Sequence, residues 1–136
     1  MDCRIVFYTA VKTSLCEKAV KKGCSAAGLK ISGAVFATDR QGMGRQLCEA
    51  LSMGDPVFLI GGLGFSDRRN AADILASAAS NANVEELYRV ETGGDDGYLL
   101  RAGDQLLVLL PDDPGQIEAA LSGALGEYLR LYAAGK

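Results

Sequence analysis

Val57-Phe58-Leu59-Ile60-Gly61-Gly62-Leu63-Gly64-Phe65-Ser66-Asp67, VFLIGGLGFSD, is the stretch on which the reading of this chain turns. Four apolar residues run directly into three glycines within four positions. A short, continuous apolar run bounded by glycine has the pattern of a strand buried on both faces, as in a parallel sheet. The glycines beyond it admit two readings. They serve a tight turn into the next helix, or they leave bare backbone against which a ligand sits. Neither standard phosphate motif is present: GxxxxGK[ST] is absent, GxGxxG does not match, and this strand is the third rather than the first.

Working outward, Pro56 to Ile60 is therefore the third of three similar strands. Cys3 to Tyr8 and Ile31 to Ala37 precede it. Between them, Leu15, Ala19, Val20, Cys24 and Ala27 recur at helical spacing, with Gly28 as the stop. Met43, Leu47, Cys48 and Leu51 mark a second amphipathic helix ending near Gly54. After the glycine loop, Ser66 or Asp67 is a candidate N-cap for a helix whose inner face is Ala71, Ile74, Leu75 and Ala78. Glu86 to Glu91 alternates weakly. Tyr98 to Arg101 and Gln105 to Leu110 flank Ala102-Gly103-Asp104 as a β-hairpin. Asp113-Pro114-Gly115-Gln116 opens a last helix, with Asp113 as cap, Pro114 at the first position and Gln116 completing a capping box. Its apolar stripe is Ile117, Leu121, Leu125, Tyr128, Leu129 and Tyr132. Strict alternation of strand and helix, then a hairpin, predicts an α/β protein. The expected architecture is a three-layer αβα sandwich with a mostly parallel sheet, and residues 1–136 form one domain.

Composition narrows the function classes. With 136 residues and 49% hydrophobic side chains, the chain is long enough to bury a full core. Net charge is −3 and no Lys/Arg run exceeds two residues, which argues against a nucleic-acid footprint. No apolar run approaches the roughly 18 residues of a membrane span. The start, MDCRIVFYTA, lacks the basic and apolar parts of a signal peptide, so a cytoplasmic protein is expected. Cys3, Cys16, Cys24 and Cys48 form no CxxC pair and histidine is absent, so no metal site is expected and His-dependent nucleophilic catalysis is excluded. The cysteines read as reduced and mostly buried.

Ligands of open α/β sheets bind beyond the carboxyl ends of the strands. Three predicted strand ends carry suggestive loops: Gly61-Gly62-Leu63-Gly64, then Leu110-Pro111-Asp112-Asp113-Pro114, and Asp39 in Ala37-Thr38-Asp39-Arg40. Taken singly, Asp39 and the LPDDP loop read as helix caps, and Phe65 reads either as a stacking ring or as a space-filler beside the next helix. Free amides at such loops attract phosphate oxygens.

The order of these pieces resembles the molybdopterin-binding fold of the molybdenum-cofactor biosynthesis proteins. That group includes MogA and MoaB, the middle part of MoeA, the gephyrin G domain and the amino-terminal domain of CinA. The resemblance runs roughly from Ala34 to Tyr128 and rests on ATDR at Asp39, EALSMGDPVFLIGGLG, and GYLLRAGDQLLVLLPDDP before a helix. It implies a molybdopterin or adenine-nucleotide ligand and a homo-oligomer, commonly a trimer. It places the binding site at Asp39, Gly61, Gly62, Leu63, Gly64, Phe65, Ser66, Arg69, Pro111, Asp112 and Pro114. The candidate acid–base residues are Asp39, Asp67 and Asp112.

Departures from the family pattern share one direction. Gly61, Gly62 and Gly64 match its three glycines, while Ile60 and Leu63 replace two threonines. Arg69 and Ala71 stand where the family carries Asp-x-Thr, and Asp112 replaces the glycine of LPGxP. The backbone cradle is kept and the carboxylates that would hold Mg²⁺ are thinned. Arg40, Arg68 and Arg69 are candidate phosphate partners. The leading expectation is a module that binds a pterin phosphate or nucleotide. One alternative is an active adenylyltransferase or metal-insertion enzyme, which needs Asp39, Asp67 and Asp112 to converge. Another is a structural or regulatory protein that binds no ligand.

Overall fold

The computed structural model describes residues 2–52, 56–62, 86–94, 96–103 and 105–135. Within them the chain runs β1 (Asp2–Tyr8), α1 (Thr13–Ala26), β2 (Lys30–Ala37), α2 (Arg40–Leu51), β3 (Val57–Gly61), β4 (Glu86–Val90), β5 (Gly97–Ala102), β6 (Gln105–Leu110), α3 (Pro114–Leu121) and α4 (Ala124–Ala134). The six strands form one sheet in the order β2-β1-β3-β6-β5-β4. β1 pairs in parallel with β2 and β3, and β3 with β6, so four carboxyl ends share one rim. β5 runs antiparallel to both β6 and β4.

The opening stretch behaves as its composition dictates. Every residue of β3 is buried, as expected for a central strand covered on both faces. Alternation along β1 then divides the core in two. Cys3, Ile5 and Phe7 face α1, α3 and α4 together with Phe58, Ile60, Ile117 and Leu129. Val6 and Tyr8 face α2, where Met43, Leu47 and Ala50 meet Val57, Leu59, Leu107 and Leu109. Each large apolar side chain removed from water in this way stabilises the fold by about 1.5–3 kcal/mol. The two layers of helix on a mostly parallel sheet are the αβα sandwich expected from the alternation.

The helix starts follow local chemistry. The Gly42 amide donates to Asp39 Oδ1 at 2.5 Å, so Asp39 N-caps α2. The Gln116 amide donates to Asp113 Oδ1 at 3.0 Å, with Pro114 in the first turn of α3. The hairpin closes at Ala102 and Gln105.

One expectation is corrected. The single last helix is two helices, interrupted at Ser122 and Gly123. A Cβ at Gly126 would fall on the Leu121 carbonyl, so α4 begins packed against the end of α3 where a side chain has no room. The segment carrying Ala71, Ile74, Leu75 and Ala78 lies outside the described residues.

Tyr128 and Tyr132 join α4 to the sheet. The Tyr128 hydroxyl donates to Glu86 Oε2 at 2.8 Å, Arg101 lies 3.5 Å from Glu86 Oε1, and the Arg101 guanidinium stands over the Tyr132 ring at 5.9 Å. Burial, and then the bond to Glu86, raises the Tyr128 phenol above its ordinary pKa.

Candidate functional site

The sheet order reverses between β1 and β3: β2 lies to one side of this pair and β6 to the other. A crevice at that reversal is where open α/β sheets take ligands. The carboxyl ends of β1, β2, β3 and β6 lie along that side of the sheet.

At the end of β3, Gly61 and Gly62 have φ of +99° and +71°, both in the left-handed region. Gly61 pairs with Tyr8 across the parallel ladder, and a Cβ at Gly61 would overlap the Tyr8 carbonyl oxygen. Gly61 is therefore required by the close approach of two backbones, whatever the loop binds. Gly62 is the first residue past the strand, and its positive φ turns the backbone at the rim.

The β1–α1 loop is a part of the rim that the sequence reading did not include. Thr9 is the one non-glycine residue with positive φ among the described residues, at +50°. Its amide donates to the Ala37 carbonyl at 3.0 Å and its hydroxyl to the Tyr8 carbonyl at 2.7 Å, which hold it there. Left-handed backbone at a non-glycine residue costs of order 1–3 kcal/mol and concentrates at ligand-binding sites. The signal was available in the topology: in a parallel sheet the loop after β1 must flank the loop after β3.

Asp112, in the loop after β6, reaches this β1–α1 loop. Its carboxylate accepts hydrogen bonds from the Val11 amide at 2.7 Å and the Lys12 amide at 3.1 Å. The Cys16 thiol donates to the same group at 3.4 Å. No side chain of its own caps α1, so Asp112 supplies the negative group at that helix start. Burial, then the Asp112 bond and charge, push the Cys16 thiol up to about 12.

Of the predicted site residues, Asp39, Gly61, Gly62, Pro111, Asp112 and Pro114 lie along this rim. Leu63, Gly64, Phe65, Ser66, Asp67 and Arg69 lie outside the described residues, as does Arg68. Asp39 and Asp112 follow β2 and β6, with two strands between, and each carboxylate is engaged by backbone amides. Among the described residues no group of three or more His, Cys, Asp or Glu side chains is placed to hold a metal ion. Arg40, at the first position of α2, and Lys12 are exposed cations on the rim. Cys3, Cys16 and Cys24 are buried and Cys48 is exposed. No helix among the described residues is long and apolar enough to cross a membrane.

A cleft of about 710 Å³ lies elsewhere. It sits against β4, three strands beyond β3, and is lined by Tyr88, Val90, Leu99, Leu125 and Tyr128.

No protein-family model matches the sequence, and no curated protein matches it. Solved structures do match the fold. A CinA protein from Thermoplasma acidophilum, described as of unknown function, superposes with a TM-score of 0.74 at 14% identity, over 95% of this chain and 99% of that one. A MogA structure gives 0.70 at 19% identity over 99% of both chains. A molybdopterin biosynthesis protein from Mycobacterium abscessus gives 0.68 at 16% identity, over 98% and 94%. The chain therefore has the MogA/MoaB/CinA-type fold over nearly its whole length, with a sequence far from each of these.

Proposed function

We propose that this protein binds a small phosphorylated ligand, a pterin phosphate such as molybdopterin or an adenine nucleotide, at the rim between β1 and β3, in a role related to molybdenum-cofactor biosynthesis. The observation that carries the reading is the pair of consecutive positive-φ residues, Gly61 and Gly62, at the point where the strand order reverses. Backbone turned in this way offers its N–H groups to an oxyanion, and Arg40 and Lys12 add positive charge along the same rim. The fold shared with a molybdopterin biosynthesis protein is consistent with this ligand class.

Binding without turnover fits the described residues better than adenylyl transfer. Adenylyl transfer relies on carboxylates that hold Mg²⁺ against the phosphates. Asp39 caps α2 and Asp112 accepts from the Val11 and Lys12 amides, and two strands lie between them, so among the described residues these carboxylates are not brought together to hold Mg²⁺. In this account the protein holds and orients the ligand's phosphate.

One observation favours a protein with no ligand at all. Asp112 already places an anion on the amides that open α1, as a ligand phosphate would. Anaerobic calorimetric titration with molybdopterin, with and without Mg²⁺-ATP and beside a Gly62→Asp variant, separates these readings. The binding module predicts a saturable heat that is lost in the variant and indifferent to Mg²⁺-ATP. Release of pyrophosphate would make the protein an enzyme, and no heat in the wild type would leave the ligand-free reading.

A further inference from the structure

The glycine turn and the start of α1 form one continuous surface. Gly61 is level with Tyr8, and Ile60 with Leu110, so β3 ends between the segments that run on to Val11 and to Asp112. A Cβ at Gly61 would come within 3.3 Å of the Ala10 side chain, which puts the β1–α1 loop directly against the turn. Neighbouring strands stand only about 4.8 Å apart. A second phosphate linked to one seated at Gly61-Gly62 would reach the amides of Val11 and Lys12. Those amides lie at the start of the 14-residue helix α1, whose positive end favours an anion.

The chain fills that position itself. The Asp112 carboxylate accepts from the Val11 amide at 2.7 Å, from the Lys12 amide at 3.1 Å and from the Cys16 thiol at 3.4 Å. Position 112 is glycine in the LPGxP pattern that the chain resembles, and glycine has no side chain to place there. The same carboxylate sets a negative charge beside the turn. A phosphate monoester brings about −1.5 to −2 charges of its own, and every further phosphate adds to the repulsion.

We infer that Asp112 is a specificity-determining residue: its carboxylate stands in for a second phosphate at the start of α1 and restricts the rim to ligands with a single phosphate group. The ligand class is a phosphate monoester, such as a pterin monophosphate or a nucleoside monophosphate. Nucleoside diphosphates and triphosphates are turned away, because their outer phosphates meet a carboxylate where they need free amides. For the natural ligand this rests on the binding reading above; the closing of the α1 amides by Asp112 is the new claim.

Titration of the full chain with inorganic phosphate and with pyrophosphate, without Mg²⁺ and followed by backbone amide shifts, tests it. The wild type is compared with Asp112→Gly and Asp112→Asn, each checked for an unchanged circular-dichroism spectrum. Asp112→Asn removes the charge and keeps an acceptor, so it serves where loss of the cap unfolds Asp112→Gly. In the wild type, pyrophosphate is expected to bind no more tightly than phosphate. In the variants the ratio of pyrophosphate to phosphate affinity is expected to rise about tenfold or more, with new shifts at Val11 and Lys12. A wild type that already prefers pyrophosphate overturns the inference, and so do variants whose ratio does not rise. Failure of the binding reading looks different. A wild type that binds neither molybdopterin nor phosphate, beside variants that bind pyrophosphate at Val11 and Lys12, removes the ligand proposed for the rim and upholds its closure by Asp112. A wild type that binds molybdopterin, beside variants with an unchanged ratio, removes this inference alone. No binding by any of the three proteins overturns both.

Discussion

The Asp112 carboxylate accepts hydrogen bonds from the backbone amides of Val11, at 2.7 Å, and Lys12, at 3.1 Å, across a sequence separation of 100 residues or more. It ties together the loops that follow β1 and β6, the two strands flanking β3. The loops on either side of the Gly61-Gly62 turn are thereby held by a single side chain, which joins the stability of the rim to its shape.

Replacing Asp112 should accordingly loosen the start of α1. Loss of a helix-capping side chain costs about 0.5–2 kcal/mol, and Asp112→Ala is expected to fall in that range by urea denaturation. Asp112→Asn keeps a carbonyl acceptor and is expected to cost less. An Asp112→Ala variant as stable as the wild type would show that the clasp contributes nothing.

Gly61 and Gly28 offer a matched comparison. Both have positive φ, +99° and +85°, but a Cβ at Gly28 meets no atom within 4 Å, whereas at Gly61 it strikes the Tyr8 carbonyl. Gly28→Ala should cost only the conformational strain, about 1 kcal/mol. Gly61→Ala adds overlap between two backbones and should be clearly more destabilising in the same denaturation assay. Equal effects would contradict the close approach of β1 and β3.

Cys16 sets an alkaline limit. Its thiol rises from the ordinary 9.0 to about 12 in the folded protein, through burial first and the Asp112 bond second. The folded state thus holds this proton more tightly than the unfolded state. The associated stability is complete below pH 9 and is lost as pH rises toward 12. Cys16→Ala should flatten the fall of stability across that window. Under native conditions near pH 8, a thiol reagent should label Cys48 and spare Cys3, Cys16 and Cys24. Rapid native labelling of Cys16 would contradict its burial.

The strands and the first two helices were legible because each buried element repeats a simple period. The parallel core shows as unbroken apolar runs such as VFLIG, and α2 is announced by Asp39 as its cap. The break between α3 and α4 was hidden because Ile117, Leu121, Leu125, Tyr128, Leu129 and Tyr132 keep helical spacing straight through it. What interrupts the helix is local: Ser122 and Gly123 end one helix and cap the next, and Gly126, five residues on, packs its backbone on the Leu121 carbonyl. At the rim, Gly61, Gly62 and both prolines could be found from local pattern. The role of Asp112 could not, since its partners lie some 100 residues away and are backbone amides, which carry no side-chain signature.

The central claim is that the rim between β1 and β3 is the binding site, and mapping backbone amide shifts in isotopically labelled protein during an anaerobic molybdopterin titration tests it most directly. The account predicts saturable shifts at Thr9 to Lys12, at Gly61 and Gly62, and near Asp39, with little change at Tyr88, Leu125 or Tyr128. Shifts confined to the cleft beside β4, or none at all at saturating molybdopterin, would contradict it.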